Sequence, residues 1–187
     1  MRSILPFFAA ALMTSAPVVA TEVVPLSGFR SVELRGGGLV TIVPGPTQRV
    51  TIIQGSSQFT QMIVDRDGKL RIDACNQNCP RNYQLRIQIQ SPHVPPVGIK
   101  GGGSITALGG FARQREIAAG VSGGRKIDHR AVSADTAAAG VNGGGLIIVR
   151  PQVSLAAAVN GGGEVLYSGN PAVTMAVKGG GAVRRSD

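Results

Sequence analysis

Along the second half of the chain, apolar and polar residues return at a fixed phase around clusters of glycine. The phrase is apolar, polar, glycine cluster, one further residue, apolar. It reads Ile99-Lys100-Gly101-Gly102-Gly103-Ser104-Ile105, then Val121-Ser122-Gly123-Gly124-Arg125-Lys126-Ile127, then Val141-Asn142-Gly143-Gly144-Gly145-Leu146-Ile147. Two more copies follow, Val159-Asn160-Gly161-Gly162-Gly163-Glu164-Val165 and Val177-Lys178-Gly179-Gly180-Gly181-Ala182-Val183, so the first glycines are 22, 20, 18 and 18 residues apart. A sixth copy, Leu34-Arg35-Gly36-Gly37-Gly38-Leu39-Val40, stands alone near the start. A period near twenty residues predicts a coiled or stacked architecture in which each repeat covers the apolar face of the next.

The same phase predicts what stacks on what. A rung of this length holds two or three short strands joined by turns. Val97/Ile99, Val121, Val141, Val159 and Val177 form one predicted interior column, and Ile105, Ile127, Ile147, Val165 and Val183 a second. Successive rungs would pair in parallel about 4.8 Å apart. Three adjacent glycines cost a helix roughly 3 kcal/mol relative to alanine, so the alanine runs beside them, 137–139 and 156–158, read as strand. The expected fold is an all-β, single-stranded parallel β-helix or solenoid with glycine-rich turns.

Upstream of the repeat the pattern also reads as strand. Val32, Leu34, Val40 and Ile42 share one parity and suit one buried face. Pro44-Gly45-Pro46 marks a turn; residues 50–53 and 62–64 read as strands, and Asp67-Gly68 as the turn of a hairpin into Lys69–Ile72. Leu85, Ile87 and Ile89 alternate with Arg86, Gln88 and Gln90, and Pro92, Pro95 and Pro96 end that strand. Residues 1–20 have a positive start, a short apolar stretch and the small-residue ending Val18-Val19-Ala20, the pattern of a signal peptide. Residues 21–27 are expected to be a flexible leader and 28–187 a single β-solenoid domain.

The segment Phe29-Arg30-Ser31-Val32-Glu33-Leu34, the glycine turn, Val40-Thr41-Ile42, Asp67-Gly68-Lys69-Leu70-Arg71-Ile72 and the Val/Ile-polar-Gly-Gly-Gly phrases together resemble the head GIN domain family of autotransporter adhesins. The resemblance covers roughly residues 28 to 183. It implies a β-rich, right-handed coil or solenoid, on the bacterial surface or in the periplasm, with a function largely unassigned. The family's usual phrase is small-Gly-small-Gly. This chain mostly carries Gly-Gly-Gly, and Gly124-Arg125 departs from the pattern in one copy. Four residues follow Val183, so no transporter barrel and no self-export are expected.

Composition narrows the chemistry. Hydrophobic residues make up 43% of the chain, too many for a disordered polymer, and they are mostly Val, Ile, Leu and Ala with no Trp. The formal charge is +9, and removal of residues 1–20 takes only Arg2 with it. A basic exported protein meets anionic surfaces, so an anionic glycan or lipopolysaccharide is the expected partner class. The basic residues form no dense run and have no interleaved aromatics, which argues against a specific nucleic-acid site. No later segment reads as a transmembrane helix.

Cys75 and Cys79 are the only cysteines and, in an exported protein, are expected to form a disulfide. A zinc site would need further cysteines or histidines at ligand spacing. Asp65-Arg66-Asp67-Gly68 opens like a calcium loop, but Asn76 stands where the closing glutamate belongs. His93 and His129 are isolated and read as surface residues. The repeat region's carboxylates, Glu116, Asp128, Asp135, Glu164 and Asp187, occupy different phases, and no nucleophile elbow occurs. No catalytic residue, metal or cofactor is therefore expected. A β-helix enzyme acting on acidic polysaccharide is the competing reading, and a structural spacer a third. The expected interaction face is the outward polar column Lys100, Ser122, Asn142, Asn160 and Lys178, in which Asn142 and Asn160 would form a short hydrogen-bonded ladder.

Overall fold

The computed structural model describes residues 21–76 and 78–186; the signal-peptide reading of residues 1–20 lies outside them. The strands are β1 (Glu22–Val24), β2 (Ser31–Arg35), β3 (Leu39–Pro44), β4 (Arg49–Gln54), β5 (Gln61–Val64), β6 (Lys69–Asp73), β7 (Arg86–Ser91) and β8 (Val97–Gly101). They continue as β9 (Ser104–Ala107), β10 (Gln114–Gly123), β11 (Lys126–Gly143), β12 (Leu146–Asn160), β13 (Glu164–Tyr167), β14 (Ala172–Lys178) and β15 (Ala182–Arg185). All belong to one mixed sheet, and no helix occurs among the described residues.

The repeat is written directly into the pairing. In a first stack, β2, β8, β10, the C-terminal parts of β11 and β12, and β14 pair in parallel, with Ile99, Val121, Val141, Val159 and Val177 in one register. In a second stack, β7, β3, β9, the N-terminal parts of β11 and β12, then β13 and β15 pair in parallel, with Val40, Ile105, Ile127, Ile147, Val165 and Val183 aligned. The long strands β11 and β12 run through both stacks. The inward side chains of the two stacks meet in a single apolar cluster.

Three features depart from a uniform coil. The pairs β1/β4, β4/β7 and β5/β6 are antiparallel. The Asp67-Gly68 hairpin produces the last of these, with Gly68 at φ 73° and Asp65 Oδ1 accepting from the Asp67 and Lys69 amides. A chain that reverses direction this tightly cannot continue a parallel winding. Second, residues 21–27 are not simply a flexible leader, because Glu22–Val24 adds a strand to the edge of β4. Third, Val177 is 41% exposed although Val159, its register partner, is 2% exposed. Among the described residues β14 pairs with β12 alone, so nothing covers its far side.

The glycine clusters are where the rungs touch most closely. Gly143 has φ 114°, and a Cβ on it would stand 2.7 Å from the carbonyl oxygen of Gly123. Gly161 repeats the arrangement one rung on, 2.8 Å from the carbonyl of Gly143. Only glycine reaches that conformation at that spacing without strain. The middle glycine of the same cluster, Gly144, faces open space. Gly143→Ala is therefore expected to cost about 2 kcal/mol or more in urea-unfolding free energy, and Gly144→Ala to stay within about 0.5 kcal/mol of the parent. Equal effects would mean that the clusters are not held by close backbone approach.

Candidate interaction surface

Strand alternation decides which side chains reach solvent in the first stack. With Ile99, Val121, Val141 and Val159 inward and buried, Lys100, Ser122, Asn142 and Asn160 point outward and are exposed. The register Lys100↔Ser122↔Asn142↔Asn160↔Lys178 is continuous across five strands. All five residues border one groove of about 570 Å³. Gly98, Gly120, Gly140, Ala158 and Ala176 line the groove and keep it shallow, because they carry almost no side chain. Residues of this size at aligned positions leave a flat apolar track with a polar edge.

The charges at the two ends of this edge differ. Lys100 Nζ lies 3.3 Å from Glu33 Oε2, and Arg35 Nε donates to Glu33 Oε1. Burial alone would raise the Glu33 carboxyl, but the hydrogen bonds from Arg35 and Lys100 outweigh it and hold the group below its ordinary value. At the far end Lys178 has no carboxylate partner among the described residues. Asn142 and Asn160 do not form the expected ladder: no side-chain hydrogen bond joins them, so both amides remain available to a ligand. Arg125, Lys126 and Arg150 lie away from the groove; Lys126 is paired with Asp128 in the second stack.

Cys75 and Cys79 form the expected disulfide, with a Cα–Cα distance of 6.0 Å. Beside it Tyr83 ties the loop down, its hydroxyl 2.7 Å from Thr60 Oγ1 and accepting from the Ser56 amide. No group of three or more His, Cys, Asp or Glu side chains converges among the described residues. Asp128 is buried between Lys126 and Arg130, at 2.9 Å from each. As at Glu33, desolvation opposes ionisation, but hydrogen bonds from Arg130 and Lys126 prevail and hold the carboxyl low.

His93 is exposed, as the sequence reading expected; His129 is not a surface residue. Its side chain is fully buried, and neither ring nitrogen has a hydrogen-bond partner among the described residues. Its neighbours Asp128 and Arg130 are charged, which on composition alone favours an exposed edge. Parity with the inward Ile127 is the sequence signal that matches its buried position. It stands one residue past the pair Asp128↔Ile148, the position that buried Val149 fills in the next rung.

Fold and surface together define an all-β protein of stacked, glycine-turned strands. Residues 96–171 match the family described as "Putative auto-transporter adhesin, head GIN domain", which places the resemblance on the repeat itself rather than on the whole of 28–183. Among solved structures, a "putative adhesin" from Bacteroides fragilis is 18% identical with a TM-score of 0.56, over 89% of this chain and 96% of that one. At that identity the likeness is one of fold. A "putative adhesin" from Parabacteroides distasonis has 13% identity and a TM-score of 0.39, over 89% of this chain and 96% of its own. A "putative lipid binding protein" from the same species has 16% identity and a TM-score of 0.36, over 90% and 96%. Those two resemble the chain too loosely for a site to be carried over. No curated protein matches the sequence. No helix among the described residues is long and apolar enough to cross a membrane.

Burial holds the His129 imidazole down at about 4, with Asp128 pulling weakly the other way. The unfolded state then binds a proton that the folded state refuses. The His129 contribution to stability is full well above pH 6.5 and is expected to fall by roughly 3 kcal/mol as the pH drops from about 6.5 to about 4. Asp128 and Glu33 add their own losses only below the ordinary carboxylate range. Urea titrations of His129→Leu across this window should show the slope largely removed; an unchanged slope would assign the acid sensitivity elsewhere.

Proposed function

We propose that this protein is a non-enzymatic, exported, adhesin-like binding module whose stacked strands wind as a right-handed solenoid and present the groove of the first stack to an anionic polymer. The observation that carries the reading is the alignment of Lys100, Ser122, Asn142, Asn160 and Lys178 along one edge of a single apolar groove. A straight, repetitive edge suits an extended repetitive ligand better than one small molecule, through contacts that are individually weak and add by multivalency. Right-handed winding accords with the strong preference of parallel strand connections for that hand. The chain's formal charge of +9 favours anionic partners, acidic glycans or the phosphorylated sugars of lipopolysaccharide. Glycosidic chemistry asks for paired carboxylates, one of them with a raised pKa. Here Glu33 and Asp128 are each held low between two cations, which favours binding over bond cleavage.

Binding is expected to weaken with salt, because exposed charges are screened. Retention on an anionic matrix at low salt would follow from net charge alone, so the informative test compares two double variants of equal charge. Lys100→Gln with Lys178→Gln should weaken binding to polygalacturonate or lipopolysaccharide about fivefold, since each exposed charge contributes roughly 0.5 kcal/mol. Arg66→Gln with Arg81→Gln, exposed residues away from the groove, should leave it nearly unchanged. Equal losses in both would reduce the interaction to net charge and end the groove assignment.

A further inference from the structure

A second concavity lies in the other stack, where β11 departs from the regular register. Pairing between β11 and β12 runs Lys126↔Leu146 to Asp128↔Ile148, then resumes at Ser133↔Arg150. β11 therefore carries extra residues between those points, which push Arg130 out beside Arg150. The resulting pocket measures about 430 Å³. Its lining includes the apolar side chains Ile148 and Leu166, together with Arg130, Arg150, Gln152, Ser168 and Ser186. A Cβ on Gly169, at φ 98°, would stand 2.9 Å from the Pro151 carbonyl, so this side of the pocket stays without a side chain.

The two arginines are prepared differently. Asp128 Oδ1 accepts from Arg130 Nε at 2.9 Å and from the Arg130 amide at 3.2 Å. Lys126 Nζ occupies the other oxygen of Asp128, at 2.9 Å. The carboxylate is thus satisfied, and it fixes the Arg130 guanidinium by one edge while its terminal amino groups remain for a ligand. Arg150 has no ion-pair partner among the described residues. Among the described residues no carboxylate lines the pocket itself.

We infer that this pocket binds a carboxylate-bearing sugar residue of the uronic-acid type. A guanidinium fork matches the two oxygens of a carboxylate, and one fork held in place before binding loses less freedom on forming those bonds. Gln152, Ser168 and Ser186 supply the mixed donors and acceptors that ring hydroxyls need. Ile148 and Leu166 give the ring's C–H face an apolar surface. A bare inorganic anion would use the arginines and leave those other groups idle. The pocket's volume lies within the range of small-molecule sites. This site is separate from the groove of the first stack, and neither assignment depends on the other.

Titration of the full protein with trigalacturonate, maltotriose and inorganic phosphate, followed by ligand-observed NMR and calorimetry, tests the assignment. Trigalacturonate should bind saturably and maltotriose at least about tenfold more weakly, the effect of losing a charge-assisted bidentate contact. Arg150→Gln, at an exposed side chain with no ion-pair partner among the described residues, should weaken trigalacturonate about tenfold with the melting temperature unchanged. Arg130→Gln should weaken it as well, and the Lys100→Gln, Lys178→Gln double variant should not. Absence of saturable trigalacturonate binding would overturn the inference. Phosphate binding as tightly as trigalacturonate and with the same Arg150 dependence would also overturn it, leaving a bare anion site. Equal weakening by Arg66→Gln with Arg81→Gln would reduce it to net charge.

Discussion

The close approach of one glycine cluster to the next governs this molecule. The Gly144 amide donates to the Gly123 carbonyl at 2.9 Å, and one rung later the Glu164 amide donates to the Gly145 carbonyl at 2.8 Å. Side chains at Gly123, Gly143, Gly161 or Gly179, the first positions of the later clusters, would hold the backbones apart. With that contact made, every other position is fixed by counting from it. The valine two residues before the cluster falls on the valine of the previous rung, and the polar residue between them falls outside. The isoleucines and valines after the cluster align in the second stack by the same count. The shortening of the period from 22 to 18 residues is taken up away from the clusters. The register shift after Asp128 shows this, since β11 and β12 are aligned both before and after it.

Charge follows the same geometry. A carboxylate on the outward side of a stack is crowded by neighbours in its own and adjacent rungs, which here are cationic. Glu33 is flanked by Arg35 two residues along and Lys100 on the paired strand; Asp128 by Lys126 and Arg130 on its own strand. These clusters use up acid without using up all of the base around them. Among the cations without an ion-pair partner in the described residues are Lys178 at the end of the groove and Arg150 in the bulge pocket.

Sequence periodicity made the stacked half legible because each copy names its neighbour: Val141 and Val159 pair because their phrases align. The same phase left Lys100, Ser122, Asn142, Asn160 and Lys178 exposed as expected, and the Cys75–Cys79 disulfide followed from the cysteine count and the exported setting. Periodicity reached less far where no copy exists to be compared. β4 and β7 find their partners by tertiary packing, and a run such as Val50–Ile53 carries no mark of its antiparallel direction. Glu22–Val24 is too short to stand out from a leader, yet an open sheet edge is enough to order it. His129, isolated among the titratable residues and set between two charged ones, reads as a surface residue although it shares parity with the inward Ile127. Val177 shares the phase of its column but has no further strand against β14 among the described residues, and phase alone cannot report that exposure. The Arg130–Arg150 pocket arises from a register shift, which no repeat pattern encodes.

Hydrogen bonds between backbones one repeat apart are the central claim, and scalar coupling across them can be observed directly. In a long-range HNCO experiment on the isotope-labelled protein, the Gly144, Leu146, Glu164 and Ala182 amides should couple to the carbonyls of Gly123, Arg125, Gly145 and Gly163, their partners at 2.8 to 3.0 Å. Coupling of these amides to carbonyls within their own glycine clusters, or exchange with solvent too fast for any coupling to be seen, would contradict the stacked register on which the account rests.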